Sequence, residues 1–378
     1  MSVALTVIES ALSDAQAAFD AGRMLQALSA ARCLDTETTS QTERAEAVRL
    51  RAQAAFHLGE FDEAANAAQR LLDEFGGQAP TYPARLRVLT IAAVAAAEVA
   101  RFEPALGHLQ KLLSTASRGS LEEFVHARST AATCFALLGD PWAGQRLLSE
   151  LMGLFQGLPS ESALEAVARR NHTTVCLRIA RLAHDAGDEA ACEEALDHAE
   201  ASVQRTREIA RLIRDKRLAG IAELQACEAA LMRGQAAAIV ATLETAAEAA
   251  AAADLPARMR YLLVLLGEAC IGAGDPARAL QLLRDADAAL HEGHDFGLRI
   301  RCLRALQQAC EATGATGPAL ALAARVQALD NQRRYRQLRT QSHFLRSRLE
   351  LEHLYRYRTS TSRGISSRSG ALTAPAAL

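Results

Sequence analysis

The sequence predicts an all-α solenoid, a stack of helical hairpins, on three observations. Half of the 378 residues are apolar but only 4% are aromatic, and the helix-favouring residues Ala, Leu, Glu, Arg and Gln are abundant. Apolar residues do not alternate with polar ones between turn signals, so no strand is expected. Two-residue turns, most of which contain glycine, recur through most of the chain.

The segment from His57 to Phe75 shows how one hairpin is built. Gly59 can adopt the left-handed conformation that often ends a helix, and Phe61 begins the next helix. Ala64 and Ala68 share one face of this second helix and are small enough to let another helix approach closely. A single hairpin cannot bury that face by itself, so it needs neighbouring hairpins.

Seven further turns repeat this unit. Counted at the second residue of each turn, consecutive turns lie between 37 and 48 residues apart. The two longest spacings predict extended helices, and the segment 203–224 is the candidate for one of them. The eight turns lie at residues 21–22, 58–59, 100–101, 138–139, 186–187, 233–234, 273–274 and 313–314.

This pattern resembles the tetratricopeptide repeat (TPR), in which the second helix follows a Gly turn and carries an Ala five residues after it. Ala64, Ala279 and Ala319 match that Ala, and Gly267 matches the mid-helix Gly of the family. The resemblance covers about residues 5–329 and implies a right-handed α-solenoid of about eight hairpins. Each spacing exceeds the usual period of about 34 residues, as in the longer-period arrays of bacterial regulators.

We divide the chain into three parts. Residues 1–329 form the TPR-like array, and residues 359–378 lack a periodic apolar pattern, so we expect them to be disordered. Residues 330–358 read as a basic amphipathic helix that either caps the last hairpin or pairs in a coiled coil. The apolar seam of this helix consists of Tyr335, Leu338, Leu345 and Leu349, interrupted by Ser342 and Glu352.

Charge is spread unevenly along the chain. Residues 330–378 carry ten Arg against three acidic residues, a charge of +7, and the net charge of −2 then leaves −9 for residues 1–329. The acidic body argues against a general nucleic-acid-binding surface, so we do not expect a nucleic-acid partner. The basic end is either a solvated helix face with a disordered tail or a binding segment for an acidic partner, RNA or a membrane surface.

The cysteine pattern and hydropathy predict a cytoplasmic protein. None of the eight cysteines forms a C-x-x-C motif, and they lie among Ala and Leu, as expected of small buried thiols in a reducing compartment. No apolar run approaches the roughly 18 residues of a membrane span, and the N-terminus lacks the basic region of a signal peptide.

No motif in the sequence predicts catalysis, a cofactor or a metal. The segment 291–295 departs from H-E-x-x-H because its second His comes one position early and Gly293 breaks the helix that would align two ligands. We interpret it as a polar loop between hairpins. Phosphate-binding Gly motifs and a Ser-His-Asp order are absent from the sequence, so we expect a protein that is not an enzyme.

The candidate binding site follows from the resemblance, because the first helices of stacked hairpins line the concave wall in that family. Positions six and ten residues before each turn lie on one helix face and hold a mixed polar and apolar stripe. Such a stripe suits a groove for a peptide or a helix, and the alternative is a set of merely exposed helix positions. The candidate partner-binding residues are Arg49, Gln53, Thr133, Arg181, Glu228, Glu268, Arg304 and Gln308.

Our first hypothesis is a non-enzymatic interaction scaffold or sensory module that binds a peptide or partner protein in the concave groove, with a homodimer formed through residues 330–358. The alternative is the N-terminal sensory part of a bacterial signalling protein, because an array followed by a helical stalk resembles TPR-linked diguanylate cyclases. No G-G-D-E-F motif follows here, so that hypothesis places the catalytic domain outside this chain. A third hypothesis is an RNA-associated adaptor that uses the Arg-rich end.

Overall fold

This computed structural model describes residues 2–339 apart from 39, 76–81, 118 and 156–162. The described residues form sixteen α-helices and no β-strand. The all-α prediction is therefore confirmed. The helices are α1 (Ser2–Asp20), α2 (Met24–Glu37), α3 (Gln41–Leu58), α4 (Phe61–Glu74), α5 (Tyr82–Glu98), α6 (Phe102–Ala116), α7 (Leu121–Leu138), α8 (Pro141–Phe155), α9 (Ala163–Ala186), α10 (Glu189–Leu212), α11 (Lys216–Met232), α12 (Ala236–Ala252), α13 (Pro256–Gly272), α14 (Pro276–Ala289), α15 (Phe296–Ala312) and α16 (316–339).

Each odd-numbered helix forms a hairpin with the next helix, and the turns of the eight hairpins lie at the predicted positions. Seven turns contain a glycine with φ between 73° and 105°, and the turn without glycine uses Ala100 at φ 59°. In the second hairpin, the left-handed Gly59 directs the N–H of Glu60 back to the carbonyl of Ala55 at 2.9 Å. This bond satisfies a carbonyl that the end of α3 leaves free, which is why glycine suits this position.

The hairpins stack as a solenoid with two layers of helices. Odd-numbered helices pack against the odd-numbered helices of adjacent hairpins, whereas even-numbered helices pack mainly against their neighbours in sequence. We call the exposed face of the odd-numbered layer the inner wall. The alanines predicted to allow close helix packing are buried, with Ala64, Ala68 and Ala279 at 0% exposure. Because these buried side chains are small, the two helices of each hairpin can pack closely together.

The fifth hairpin corrects one prediction. Its two helices, α9 and α10, have 24 residues each, so the long spacings do contain extended helices. The segment 203–224, however, is not one helix, because α10 ends at Leu212 and α11 begins at Lys216. Arg214 adopts a left-handed φ of 57° and Asp215 caps α11 by accepting the N–H of Leu218 at 2.9 Å. An Asp at the N-cap favours the start of a helix, but the helical pattern continues on both sides of Asp215 and therefore predicted one long helix.

A buried carboxylate joins the first two hairpins. Asp35, at the end of α2, is only 3% exposed. It accepts from Arg51 at 3.0 Å and Arg70 at 2.7 Å, and Arg44 lies 3.5 Å away. Three guanidinium groups from α3 and α4 therefore compensate one buried charge, which makes this site sensitive to the loss of that charge.

The array curves until its seventh hairpin meets its second. Arg260 of α13 donates to the carbonyl of Leu58 at 2.6 Å, and the N–H of Asp62 donates to the carbonyl of Gly293 at 3.0 Å. A Cβ added to Gly59 would lie 2.7 Å from the Nη2 atom of Arg260. Gly59 therefore leaves room for the contact with Arg260 that closes the solenoid, and it also forms the turn that ends α3.

Helix α16 packs across the C-terminal ends of α5 and α7. Arg336 donates to the carbonyl of Val99 at 3.2 Å, and Gln337 donates to the carbonyl of Leu138 at 3.3 Å. Helix C-termini carry free carbonyls and partial negative charge, which explains why a basic helix packs there. The helix crosses the predicted boundary at residues 329–330, and most of the predicted 330–358 helix and all of the 359–378 tail lie outside the described residues.

Seven of the eight cysteines are buried as predicted, and all eight are free thiols. Cys33 is exposed, contrary to the prediction for it. Burial raises the pKa of Cys176 and of Cys302 to about 12, so these thiols stay protonated and behave as small apolar side chains. Within the described residues, every helix is too short or too polar to cross a membrane.

Candidate functional site

The eight candidate residues all lie on odd-numbered helices, and therefore on the layer that forms the inner wall. Their surroundings differ along the array. Gln53 is buried, Glu228 is 9% exposed, and Gln308 is exposed. The candidates form an N-terminal group around Arg49, a central group around Glu228, and a C-terminal pair, Arg304 and Gln308. Their role in partner binding stays a prediction.

Arg49 organises the N-terminal group. Its Nε donates to Glu46 at 2.7 Å, its Nη1 to Gln53 at 2.8 Å, and its Nη2 to Gln16 at 3.0 Å. The last bond connects α3 to α1, the preceding odd-numbered helix. Because these groups bond to one another, this part of the wall holds adjacent hairpins in register.

Thr133 lies between the two groups, on α7. Its hydroxyl donates to the carbonyl of Ser129, one turn earlier, at 3.2 Å. Such a bond is the usual local solution for a threonine inside a helix. Thr133 is half-buried, so it presents only part of its side chain to the inner wall.

Glu228 organises the central group. It accepts hydrogen bonds from Arg181 and from the Tyr261 hydroxyl, and Arg301 donates to it at 2.9 Å. Arg301 also donates to Glu268 at 2.5 Å and 2.7 Å through two nitrogens. The network therefore joins α9, α11, α13 and α15, four consecutive helices of the inner layer.

The electrostatics of this network keep it ionised. Burial alone would raise the pKa of Glu228, but Arg181 and Arg301 outweigh burial and lower it to about 2. The pKa of Tyr261 is raised by burial and by the neighbouring Glu228 carboxylate, so its hydroxyl stays protonated and donates a hydrogen bond to Glu228. The central group is therefore a charged network at neutral pH.

The spacing rule missed two members of this network for a definable reason. Tyr261 and Arg301 both lie thirteen residues before their turn residue, as does Glu46 in the N-terminal group. Positions six, ten and thirteen before a turn share one helix face, because they are four and three residues apart. Extending the count by one helical turn would have found them.

The C-terminal pair is the most accessible part of the stripe. Arg304 is 47% exposed, donates to Asp330 of α16 at 2.7 Å, and lies 3.5 Å from Asp185 of α9. Gln308 lies one turn further along α15 and is exposed. This pair keeps polar surface available at the end of the inner wall.

A cleft of about 590 Å³ opens where hairpins 2 and 3, the α14–α15 loop and α16 meet. It combines four arginines and three carboxylates with apolar side chains, and Arg336 lies over the ring of Phe296 at 5.7 Å. Sequence reasoning missed this cleft, because its residues come from opposite ends of the array. The lining residues are Asp62, Val99, Ala100, Arg101, Phe102, Glu103, Pro104, Glu292, Gly293, Phe296, Arg299, Leu329, Gln332, Arg336 and Arg339.

Beside the cleft, Glu60 and two histidines form a cluster that we call the clamp: Glu60, His291 and His294. The Nε2 atoms of His294 and His291 lie 3.0 Å and 3.3 Å from the two Glu60 oxygens. The segment 291–295 is a loop, as predicted, but its partner Glu60 lies more than 200 residues away, and no pattern in the sequence predicted that contact. The spacing of the three ligand atoms, within 4.8 Å of one another, is close enough for a metal ion.

The hydrogen bonds of the clamp argue against a metal ion. The N–H of Gly293 donates to Nδ1 of His291, and the N–H of His291 donates to Nδ1 of His294, both at 3.1 Å. Since each Nδ1 accepts a hydrogen bond, each neutral ring carries its own proton on Nε2 and donates a hydrogen bond from Nε2 to Glu60. A ring that bound a metal through Nε2 would need its proton on Nδ1, against a backbone N–H. The clamp is therefore a carboxylate that accepts two hydrogen bonds.

A buried Cys–His contact is a poor catalytic pair. Nδ1 of His172 lies 2.8 Å from the Ser202 hydroxyl and 3.7 Å from the Cys176 thiol. Burial lowers the pKa of His172 to about 4 and raises that of Cys176 to about 12. Both side chains are buried and neutral, whereas a nucleophilic cysteine needs a thiolate that substrate can reach.

The structure defines a helical-repeat protein with a polar inner wall and an adjoining cleft. No protein-family model and no curated protein matches the chain. Solved structures similar to it include a tetratricopeptide-repeat protein from Parabacteroides merdae (14% identity, TM-score 0.46, 80% of this chain and 98% of that chain), a Rap protein complexed with competence and sporulation factor (16%, 0.48, 85% and 74%), and apo RapI (14%, 0.46, 81% and 97%). These similarities concern the fold alone.

Proposed function

We propose that this chain is a non-enzymatic protein-interaction module that binds a peptide or helix of a partner protein. The observation that carries the proposal is the cleft, which sets several guanidinium groups beside an apolar surface at the junction of the array and α16. Mixed apolar and polar lining is the usual composition of a binding site. The inner wall adds a polar surface that runs along the odd-numbered helices.

The chemistry of the cleft suits a polypeptide. Guanidinium groups such as those of Arg299 and Arg339 bind carboxylates, often with two hydrogen bonds, and can donate to backbone carbonyls. Pro104 and the half-buried Leu329 offer contacts for apolar side chains of the same segment, whereas Phe102 and Phe296 are buried beneath them. A peptide with acidic and apolar residues would use both kinds of group.

We assign different roles to the residues of the stripe. Arg304 and Gln308 contact the partner directly, because both are exposed at the end of the wall that adjoins α16. Arg49, Gln53 and Thr133 support the wall through bonds within the chain. Arg181, Glu228 and Glu268 do the same through the central network, and a partner would reach mainly their exposed edges.

A peptide-display selection on the immobilised full-length chain tests this function. We expect enrichment of a defined set of peptides and about tenfold weaker binding to an Arg299→Ala, Arg339→Ala variant, the loss of about one charged hydrogen bond. Arg304→Ala with Gln308→Ala tests the stripe in the same way. Arg278→Ala, on the outer helix α14, is the control and should bind as the parent does. A selection without enrichment, or equal binding to all variants, would contradict the proposal.

The finer hypotheses remain proposals. The sensory-module hypothesis predicts a cyclase domain in frame after this sequence or on a partner chain, which reading the genomic sequence checks. The homodimer hypothesis draws support from α16, where Tyr335 and Leu338 of the predicted seam are 67% and 69% exposed. Arg336 and Gln337, on another side of the same helix, contact α5 and α7. The helix can therefore cap the array and still present an apolar face.

A further inference from the structure

The clamp joins two parts of the chain that are far apart in sequence. Glu60 lies in the turn between α3 and α4, and the two histidines lie in the loop between α14 and α15. The His291 and His294 rings stack with their centroids 3.5 Å apart, and both Nε2 atoms point to one carboxylate. The clamp lies beside the backbone bond from Asp62 to Gly293, so it is part of the closure of the array.

From these bonds we infer that the clamp is a proton-sensitive latch, which holds the second and seventh hairpins together at neutral pH and opens on acidification. Nε2 of each ring already carries a proton, so an imidazolium must place its new proton on Nδ1. Each Nδ1 accepts a backbone N–H at 3.1 Å in the closed clamp. Two donors would then face each other, and the loop must rearrange to relieve them.

The charges around the clamp act in both directions. Glu60 favours an imidazolium, and Asp62 on α4 and Glu292 in the loop are further acidic groups nearby. Arg260 of α13 and Arg299 of α15 oppose an imidazolium at His291.

On balance the surroundings oppose protonation. Arg32 of α2, which pairs with Glu63, is also attracted electrostatically to the Glu60 carboxylate. Burial, His294 and the two arginines together lower the pKa of His291 despite Glu60. The closed form therefore holds fewer protons than the open form, and its stability falls as the pH drops below the ordinary histidine value of 6.5.

Opening would also change the cleft, if the proposed function is right. Asp62, Gly293 and Arg299 line the cleft and lie next to the clamp in sequence or in space. Release of the α14–α15 loop would move one wall of the cleft away from hairpin 3. The latch itself does not depend on the identity of the partner.

Hydrogen exchange measured by mass spectrometry on the full-length chain tests the latch. After correction for intrinsic exchange rates, peptides covering 56–64 and 289–298 should exchange up to about tenfold faster at pH ~5.5 than at pH ~7.5, which is the largest effect that the lowered pKa of His291 can have over this range. Peptides from α8 and α12, which contain no histidine, should show no such change. Equal corrected rates at the two pH values in the clamp peptides would overturn the inference.

Histidine variants test whether the His291 and His294 rings cause the pH response of hydrogen exchange. A variant with His291→Gln and His294→Gln keeps amide donors for Glu60 but cannot titrate, so its clamp peptides should lose the pH response. If this double variant does not fold by circular dichroism, His291→Gln alone serves, because that ring is exposed. His126→Gln with His198→Gln, two exposed histidines near glutamates, is the matched control and should keep the response. A response that persists in the clamp variants would also refute the latch. Since no peptide ligand is used, this result is independent of the display selection.

Discussion

Replacement of Glu228 by Gln should destabilise the array strongly at neutral pH and little at low pH. The Glu228 carboxylate accepts from Arg181, Tyr261 and Arg301 and is 9% exposed. Gln keeps the shape of the side chain but removes its charge. The variant therefore tests the charge of the central network without creating a cavity.

The magnitude follows from the pKa of Glu228. Its folded pKa is lowered from 4.5 to about 2. A tenfold change in an equilibrium constant corresponds to about 1.4 kcal/mol, so the ionised form stabilises the folded state by about 3 kcal/mol. Because the folded pKa is depressed, this stabilisation is present above about pH 5 and is lost as the pH falls towards 2.

Urea unfolding followed by circular dichroism measures this effect. We expect Glu228→Gln to lower the free energy of unfolding by about 3 kcal/mol at pH ~7, and the difference from the parent to shrink by more than half at pH ~3. Glu244→Gln is the control, because Glu244 pairs with Arg278 on the outer surface, with 36% of its side chain exposed. That variant should leave the free energy almost unchanged.

Two results would refute this account of the network. One is an equal loss of stability in the Glu228 and Glu244 variants, which would mean that burial does not increase the contribution of the charge to the free energy of unfolding. The other is a loss in Glu228→Gln that stays constant with pH, since the carboxylate would then have no depressed pKa. A further expectation is local: exchange should rise first in α9, α11, α13 and α15, the helices that the network joins.

Three other variants probe the closure, the N-terminal core and the C-terminal helix. Asp35→Asn should cost about 2–4 kcal/mol in urea unfolding, because three arginines lose a buried partner; a loss below about 1 kcal/mol would contradict that. Gly59→Ala should cost about 1–2 kcal/mol more than Gly22→Ala, since both have positive φ but only Gly59 contacts the seventh hairpin; equal losses would count against the closure. Tyr335→Ala with Leu338→Ala should convert a dimer to a monomer in light scattering without loss of helix content; an unchanged mass would refute pairing through α16.

Much of the local structure was predictable from residue types and spacing. The eight turn positions were predicted correctly, including the one at 100–101 where Ala100 takes the place of glycine. These predictions succeed because turn geometry and small-residue packing depend on neighbours within a few residues. The misplaced helix 203–224 shows the limit, because a single capping residue, Asp215, outweighed a continuous helical pattern.

The candidate site was predictable only in part. Helical spacing placed all eight candidates on the inner layer, but it could not show which of them bond to one another. The link from Arg181 to Glu228 spans 47 residues and the link from Arg301 to Glu228 spans 73. Such pairs depend on how far each hairpin is displaced from the previous one, and residue spacing within one helix carries no information about that displacement.

The sequence by itself determined the repeating unit: a glycine turn, two helices and small residues between them, repeated until each apolar face has a neighbour. The tertiary structure alone decided that the second hairpin meets the seventh, that α16 covers the ends of α5 and α7, and that Glu60 meets two histidines. The physical reason is the accumulation of small rotations. Each hairpin turns slightly against the last, and only the sum over several hairpins brings residues more than 200 positions apart into contact.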